Sequence, residues 1–450
     1  MTKQTKAPPK IQPKAMNEIT HAKVLAVATP IMLSNISQPL IGIVDTAVVG
    51  QLPQAHYIGA IAVAALIFNL IFWGFGSLRM GTGGLAAQAF GSGDMGELRS
   101  VFARAIFIST IIGVVLLLAS PFISNFSFWM IEASPLVEQE AKIYFDIRIW
   151  SAPFALANYV ILGWFIGMGK TATAFLLQIV LNLTNMALDF YFVMGLSMTA
   201  DGVALGTVFA EILATAVGLV LIFRQTRKLG GNWSRTRIFQ RAAMIKTLSV
   251  NSDIMIRSLA LTFAFAFFIS QSAKVSETVV AANAILMHLL EMSAYFLDGF
   301  AFAVEALAGQ MVGAKNRSGF VRAIKLTSYW GVGVSIVVAL VFFVGGPYFI
   351  DIMTINQGIR ETAKTYLWWA AIAPVIGLAC FQLDGVFTGA TRTSDMRNMM
   401  LVSLAIYLGA WLVLAPIWGN NGLWAALMIF FVARAITLGA RLPALFRDLF

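Results

Sequence analysis

The feature that most constrains this chain is a series of long apolar runs, each about 19 to 26 residues, recurring from residue 24 to residue 440. About 20 consecutive apolar residues are needed for a helix to cross the hydrocarbon of a bilayer. Twelve such runs can be read, at about 24–49, 57–80, 103–123, 143–168, 172–196, 202–223, 248–270, 278–303, 326–349, 366–390, 399–418 and 422–440. They are continuous rather than alternating, which excludes a membrane β-barrel. With 59% apolar and 12% charged residues, the chain lacks the polar surface a soluble domain of this size needs. The expected fold class is an all-α integral membrane protein with twelve transmembrane helices.

Charge placement gives the topology. Of the 31 Lys and Arg residues, 23 fall in the first and every alternate connecting segment, counting Arg104 at the edge of the third run. Only Lys142, Lys274, Arg360 and Lys364 fall in the others. By the positive-inside rule both termini are expected in the cytoplasm, and the net charge of +10 marks topology rather than a nucleic-acid partner. Residues 1–23 are basic and have no apolar core, so they read as a cytoplasmic tail and not as a signal peptide. The single Cys380 excludes a disulfide framework.

The longest polar segment, 224–246, divides the chain into halves that repeat. Gln88 and Gly91 in "LAAQAFGSGD" match Gln310 and Gly313 in "LAGQMVGAKN" at an offset of 222. "GMGKT" (167–171) matches "GATRT" (389–393) at the same offset, and Pro153 matches Pro374 at 221. Six spans return the chain to its starting side, so the halves are parallel repeats about an axis along the membrane normal, an arrangement that places a substrate cavity between two lobes. The expected organisation is a tail (1–23), a first six-helix lobe (24–223), a basic linker (224–246), a second lobe (247–442) and a C-terminal tail (443–450).

Polar residues inside the spans carry the chemistry. Gln178, Asn182, Asn185 and Asp189 follow at steps of 4, 3 and 4, on one face of the fifth run. Ser34, Gln38 and Asp45 form a weaker stripe in the first run, where Pro30 and Pro39 interrupt the hydrogen-bond ladder. Asn158 and Thr207 add to the set from the fourth and sixth runs. Amide stripes also glue helices together at about 0.6 kcal/mol per bond. Two carboxylates among them favour function, because a charge near the bilayer centre costs roughly 2.5–3.5 kcal/mol. Asp45 and Asp189 both come late in outward-running spans, so they are expected at similar depth. The eighth run carries His288, Glu291, Tyr295, Asp298, Phe302 and Glu305 at steps of 3 and 4. These acids read either as a second ion path or as a charge network with Arg79, Arg148 or Arg257; for Glu305 the network reading is preferred. Asp384 and Glu211 are looser candidates. "GMGKT" is no phosphate loop, since Trp164 stands where the first glycine belongs. No ATPase module, paired metal ligands or nucleophile elbow is present in the sequence.

The stretches "PIMLSNISQPLIGIVDTAVVGQL" (30–52), "AANAILMHLLEMSAYFLDGFAFAVEALAGQMVGAKN" (281–316) and "FQLDGVFTGATRTSDMRN" (381–398) resemble the multidrug and toxic compound extrusion (MATE) family, and within it the DinF-like branch. The resemblance implies two six-helix bundles in a V and export of organic cationic or amphipathic compounds against protons or sodium. It implies Asp45 as the central proton and substrate residue, Pro30 as a bending point, and Asn185, Asp189, Asn158 and Thr207 as a polar network. Family members with a sodium site use a Glu in the seventh span; here "LALTFAFAFF" has no acid, which favours protons.

The expected protein is therefore a non-enzymatic, multi-pass antiporter of a bacterial inner membrane. It would be monomeric, need no cofactor or metal beyond an ion gradient, and take small organic cations or amphipathic drugs as partners within the lipid bilayer. The rival readings are a lipid-linked precursor flippase of the same superfamily and sodium-coupled antiport.

Overall fold

The computed structural model describes residues 18–50, 54–131 and 133–450, apart from the side chains of 38–46 and 55. All regular structure among them is helical: α1 (His21–Val49), α2 (Ala55–Phe75), α3 (Ser77–Gly91), α4 (Met95–Met130), α5 (Pro135–Arg148), α6 (Ala152–Gly167), α7 (Thr171–Phe190), α8 (Ala200–Leu229), α9 (Arg235–Ile238), α10 (Arg241–Val275), α11 (Glu277–Gly313), α12 (Arg317–Met353), α13 (Gln357–Gly389), α14 (Thr393–Trp418), α15 (Asn420–Gly439) and α16 (Leu442–Leu449). A break at Gly76 separates α2 from α3, and a 3-10 turn over Ile149–Ser151 joins α5 to α6. Counting each interrupted pair as one crossing, eleven helices among the described residues are long and apolar enough to span a membrane. α1, at 29 residues and uninterrupted through Pro30, brings the crossings to twelve.

The helices outrun the apolar runs. α11 and α12 have 37 residues each, about 55 Å at 1.5 Å per residue against a hydrocarbon core of about 30 Å. Hydropathy marks only the part that must avoid water; the ladder continues into the polar ends. The segment 224–246 is accordingly mostly the end of α8, the short α9 and the start of α10. Residues 443–450 do not trail away either. α16 presents Leu442, Leu445, Phe446 and Leu449 at helical spacing and packs them with Phe320 of α12.

The repeat is written into the backbone at a constant offset of 222. Helix starts correspond: α4 at Met95 with α12 at Arg317, and α7 at Thr171 with α14 at Thr393. Caps correspond too, since Asp94 accepts from Glu97 N at 2.9 Å and Asn316 from Gly319 N at 2.9 Å. So do the left-handed turn residues: Gly93 (φ 72°) with Lys315 (52°), Gly169 (72°) with Thr391 (53°), and Ser197 (55°) with Gly419 (55°). Against this register the Pro153/Pro374 match at 221 is one residue out. Interruptions are not shared, for α11 and α13 run unbroken where α2/α3 and α5/α6 are divided.

Two cores fill the halves. Phe68, Phe145 and Trp164 anchor the first, and Phe268, Trp424 and Phe430 the second. A third lies between them, where Val24, Val27 and Ala28 of α1 meet Phe300, Val304 and Leu307 of α11. The halves also cross directly through α3 and α11, and the contacts are reciprocal. Gln88 Nε2 donates to Gly389 O (2.9 Å) and Thr391 Oγ1 (3.1 Å), and Gln310 Nε2 donates to Gly167 O (3.0 Å). A Cβ on Gly91 would strike the Gln310 carbonyl, and one on Gly313 the Gln88 carbonyl. The two lobes are thus clasped, about a pseudo-two-fold axis, at the end that carries the 224–246 segment.

An L-residue in the left-handed turn conformation costs roughly 1–2 kcal/mol, partly offset when glycine is replaced because the unfolded chain loses freedom. Gly93→Ala and Gly169→Ala are each expected to lower stability by about 1 kcal/mol, while Lys315→Gly at the equivalent turn does not lower it. Thermal unfolding of the purified protein in detergent, followed by tryptophan fluorescence, checks the contrast.

Candidate functional site: a polar chain inside the first bundle

α7 positions its stripe as its spacing requires, with Asn182, Asn185 and Asp189 all buried. Gln178 Nε2 donates to Asn182 Oδ1 at 2.9 Å, one turn on. Asn185 Nδ2 donates to Asp189 Oδ2 at 3.0 Å and reaches Thr207 Oγ1 on α8 at 3.4 Å. Asp189 is 1% exposed, and it fits only because its neighbour on α8 is Gly206: a Cβ there would overlap Asp189 Oδ1.

A second group continues the chain across α6 and α8. Asn158 Nδ2 donates to Glu211 Oε2 at 2.5 Å, and Thr215 Oγ1 donates to Asn158 Oδ1 at 3.1 Å. A cavity of about 10 Å³ lies between Asn158 and Gln178, walled by Ile161, Leu162, Leu177, Leu181 and Ala214. That is room for about one water. Glu211 is a looser candidate in the sequence, yet it carries a signal there: Thr207, Glu211 and Thr215 recur at steps of four on one face of α8. Gly206 carried no such signal, because its role is to be small beside a residue on another helix. Gln38 and Asp45 belong to α1, but their side chains lie outside the described residues.

Not every buried amide in the protein resembles these. In the second bundle Asn283, fully buried, donates to Ser272 Oγ and Asn420 Oδ1 at 2.7 Å each, and its own oxygen accepts from Trp424 Nε1 at 2.9 Å. That is a closed knot of interhelical bonds, the glue expected in membranes. The α7 stripe is not closed, since Asn182 Nδ2 has no partner among the described residues.

The acids of the second bundle differ from one another. Asp384 Oδ2 accepts from Arg257 (3.0 Å) and Arg434 (2.6 Å), so two fixed guanidinium groups already neutralise it. Glu291 is well exposed and sits 3.4 Å from His288. Asp298 is half-buried two turns before Glu305, which is 1% exposed. The stripe read on this helix is therefore one face in register, but its members meet three different environments. Pro30 is half-buried within an unbroken α1.

Comparison with known proteins matches this architecture. The sequence model of the MatE family matches residues 30–191 and 254–412, one segment in each half. The chain is 36% identical over 413 residues to DNA damage-inducible protein F of Escherichia coli K12, covering 92% of this chain and 90% of that one. It is 22% identical over 410 residues to the multidrug resistance protein NorM of Aliivibrio fischeri, covering 88% and 85%. Among solved structures, an outward-facing multidrug resistance MATE family transporter of the MOP superfamily superposes with a TM-score of 0.85 at 18% identity, over 96% of this chain and 98% of that one. A MOP superfamily transporter from Pyrococcus furiosus, whose binding pocket is described as of reverse polarity suggesting a different function, superposes at 0.86 and 18% identity, over 96% and 97%. With a family match in both halves and a relative alike over nine-tenths of its length, the chain belongs to the MatE family: it is a multi-pass membrane transporter and not an enzyme.

Proposed function

We propose that this transporter is a proton-coupled antiporter that exports organic cationic or amphipathic compounds by alternating access, from a bacterial inner membrane with both termini in the cytoplasm. The observation that supports it best is the choice of partners. Asp189 Oδ2 accepts from the amide of Asn185 and Glu211 Oε2 from that of Asn158, whereas Asp384 Oδ2 accepts from two arginines. A carboxyl bonded to a neutral amide can lose and regain a proton without stranding a buried cation; a clamped one cannot.

In this reading Asp189 and Asn185, with Thr207, Asn158, Asn182 and Gln178, form the proton and substrate path of the first bundle. Asp45 and Gln38 of α1 complete it, and Pro30 supplies the bend. An ionised acid holds the cationic substrate, and protonation releases it, so proton and cargo compete for one charge. Apolar walls with few polar anchors suit substrates defined by charge and shape rather than by one hydrogen-bond pattern. Pocket charge, not fold, decides between this reading and a flippase for phosphate-bearing lipids. The acidic, amide-rich stripes favour cations. The stretch "LALTFAFAFF" (259–268) of the seventh run, now part of α10, offers no acid for the sodium site of related transporters, and Asp253 earlier in that run is held by Arg397 and Thr393, which favours protons.

Everted membrane vesicles test the proposal. An ethidium-like dye is expected to dissipate a preset pH gradient in wild type, and a sodium gradient is expected not to substitute for it. Asp45→Asn and Asp189→Asn are each expected to slow exchange at least about tenfold, which corresponds to roughly 1.4 kcal/mol on a barrier. Dye uptake without proton movement overturns the proposal. Gly206→Ala offers an independent check, because its methyl displaces the Asp189 carboxyl and breaks the Asn185 bond. Exchange is expected to fall similarly while protein yield and elution volume on gel filtration stay as in wild type.

A further inference from the structure

The clasp between α3 and α11 brings equivalent residues of the two halves face to face. Ala87 meets Gly309, its own counterpart at the offset of 222. One turn further into the membrane, Gly83 meets Glu305, again its counterpart: Oε1 of Glu305 occupies the place where a side chain on Gly83 would begin. At a pseudo-two-fold axis a large residue fits only if its mate is small, so the halves have divided the position into one carboxyl and one glycine. Glu305 lies about 12 Å inward from the end of α11. It is 1% exposed, and its Oε2 has no hydrogen-bond partner among the described residues. Burying a polar atom without a partner is costly.

We propose that Glu305 is a proton-carrying latch on the pseudo-two-fold axis, protonated while the lobes are clasped at the linker end and deprotonated when they part there and water reaches it. The bonding is balanced: the O–H bond of the carboxyl breaks, the proton passes to water, and the carboxylate stays on α11. Reclosure requires a proton to return. This latch rests on the antiport reading above but is distinct from the polar chain of the first bundle.

Two guanidinium groups face Glu305 in the clasped state, and the latch requires burial to outweigh their attraction for the carboxylate. From α3 comes Arg79, whose guanidinium lies over the Phe302 ring at 4.5 Å. From α10 comes Arg257, already bonded to Asp384 of α13, which Arg434 of α15 also holds. Asp298 is the nearest acid on its own helix. α6 approaches the Gly83 contact with the backbone of Gly163 and with Gly167. Arg79 belongs to the opposite half, so parting the lobes separates it from Glu305 and leaves water as the new environment of the carboxyl.

Spin labels at Lys228→Cys and Lys325→Cys, one exposed helical position in each half, report the separation of the lobes by electron–electron distance measurement. In wild type the open-to-closed ratio is expected to rise with pH, by up to about tenfold per unit through the titration. Glu305→Gln, shaped like the neutral acid, is expected to remain closed across the pH range. Gly83→Ala, which crowds the carboxyl, is expected to favour the open distance throughout. Glu305→Asp is expected to retain a pH-dependent ratio. If Glu305→Gln keeps the wild-type pH dependence while Asp189→Asn abolishes it, the latch is wrong and the first-bundle reading stands. If Glu305→Gln locks the lobes but wild type moves no protons against dye, the latch stands and the antiport reading is wrong.

Discussion

The rest of the structure depends on one close approach: α3 and α11 crossing almost backbone to backbone on the axis that relates the two halves. Between helices in lipid there is little hydrophobic drive to associate, so small residues and interhelical hydrogen bonds carry the contact. Here the small residues are Gly83, Gly91, Gly309 and Gly313, and the bonds are those of Gln88 and Gln310 to carbonyls of the opposite half. Because the contact is local and reciprocal, each lobe keeps its own core, and the third core, where α1 meets α11, adds to the join. Alternating access in transporters built from repeats has this requirement, two bodies that move against each other about a shared site.

The scaffold is symmetric but the chemistry is not. At the offset of 222, Asn185 and Asp189 correspond to Tyr407 and Trp411, and Asn158 and Glu211 to Cys380 and Ala433. Conversely Asp384 and Arg434 correspond to Leu162 and Ile212. One half has placed amides and acids where the other has packed aromatic and small residues. The other half has built an Arg–Asp–Arg clamp, Arg257–Asp384–Arg434, where the first has Asn35, Leu162 and Ile212. A buried clamp of this kind fixes helices relative to one another. Amide-bonded carboxyls leave room for a change of charge. The same backbone thus holds an arginine-clamped carboxylate in one bundle and amide-bonded carboxyls in the other.

Much of this was legible in the sequence. The twelve spans followed from hydropathy because the bilayer punishes every unpaired backbone group in a spanning segment. The repeat followed from Gln88/Gln310 and Gly91/Gly313, residues fixed by the clasp, which the sequence could match without saying that they touch. The α7 stripe followed from its spacing. Helix lengths did not, since polar ends beyond the membrane look like loops to hydropathy while their ladders continue. Gly206 and Gly83 were silent, because a glycine that matters through what it makes room for is recognised only once its neighbour on another helix is known. The C-terminal residues 443–450 looked like a tail, yet their apolar face at helical spacing was there to be read.

The central claim is that the α3–α11 clasp must open for transport. Gln88→Cys and Thr391→Cys place thiols on two residues that are bonded across the halves, and the buried Cys380 stays out of reach. Bridging the pair with a short reducible thiol crosslinker in vesicles is predicted to bring dye export to background, and reduction is predicted to restore it. Full export with the bridge intact would contradict the account.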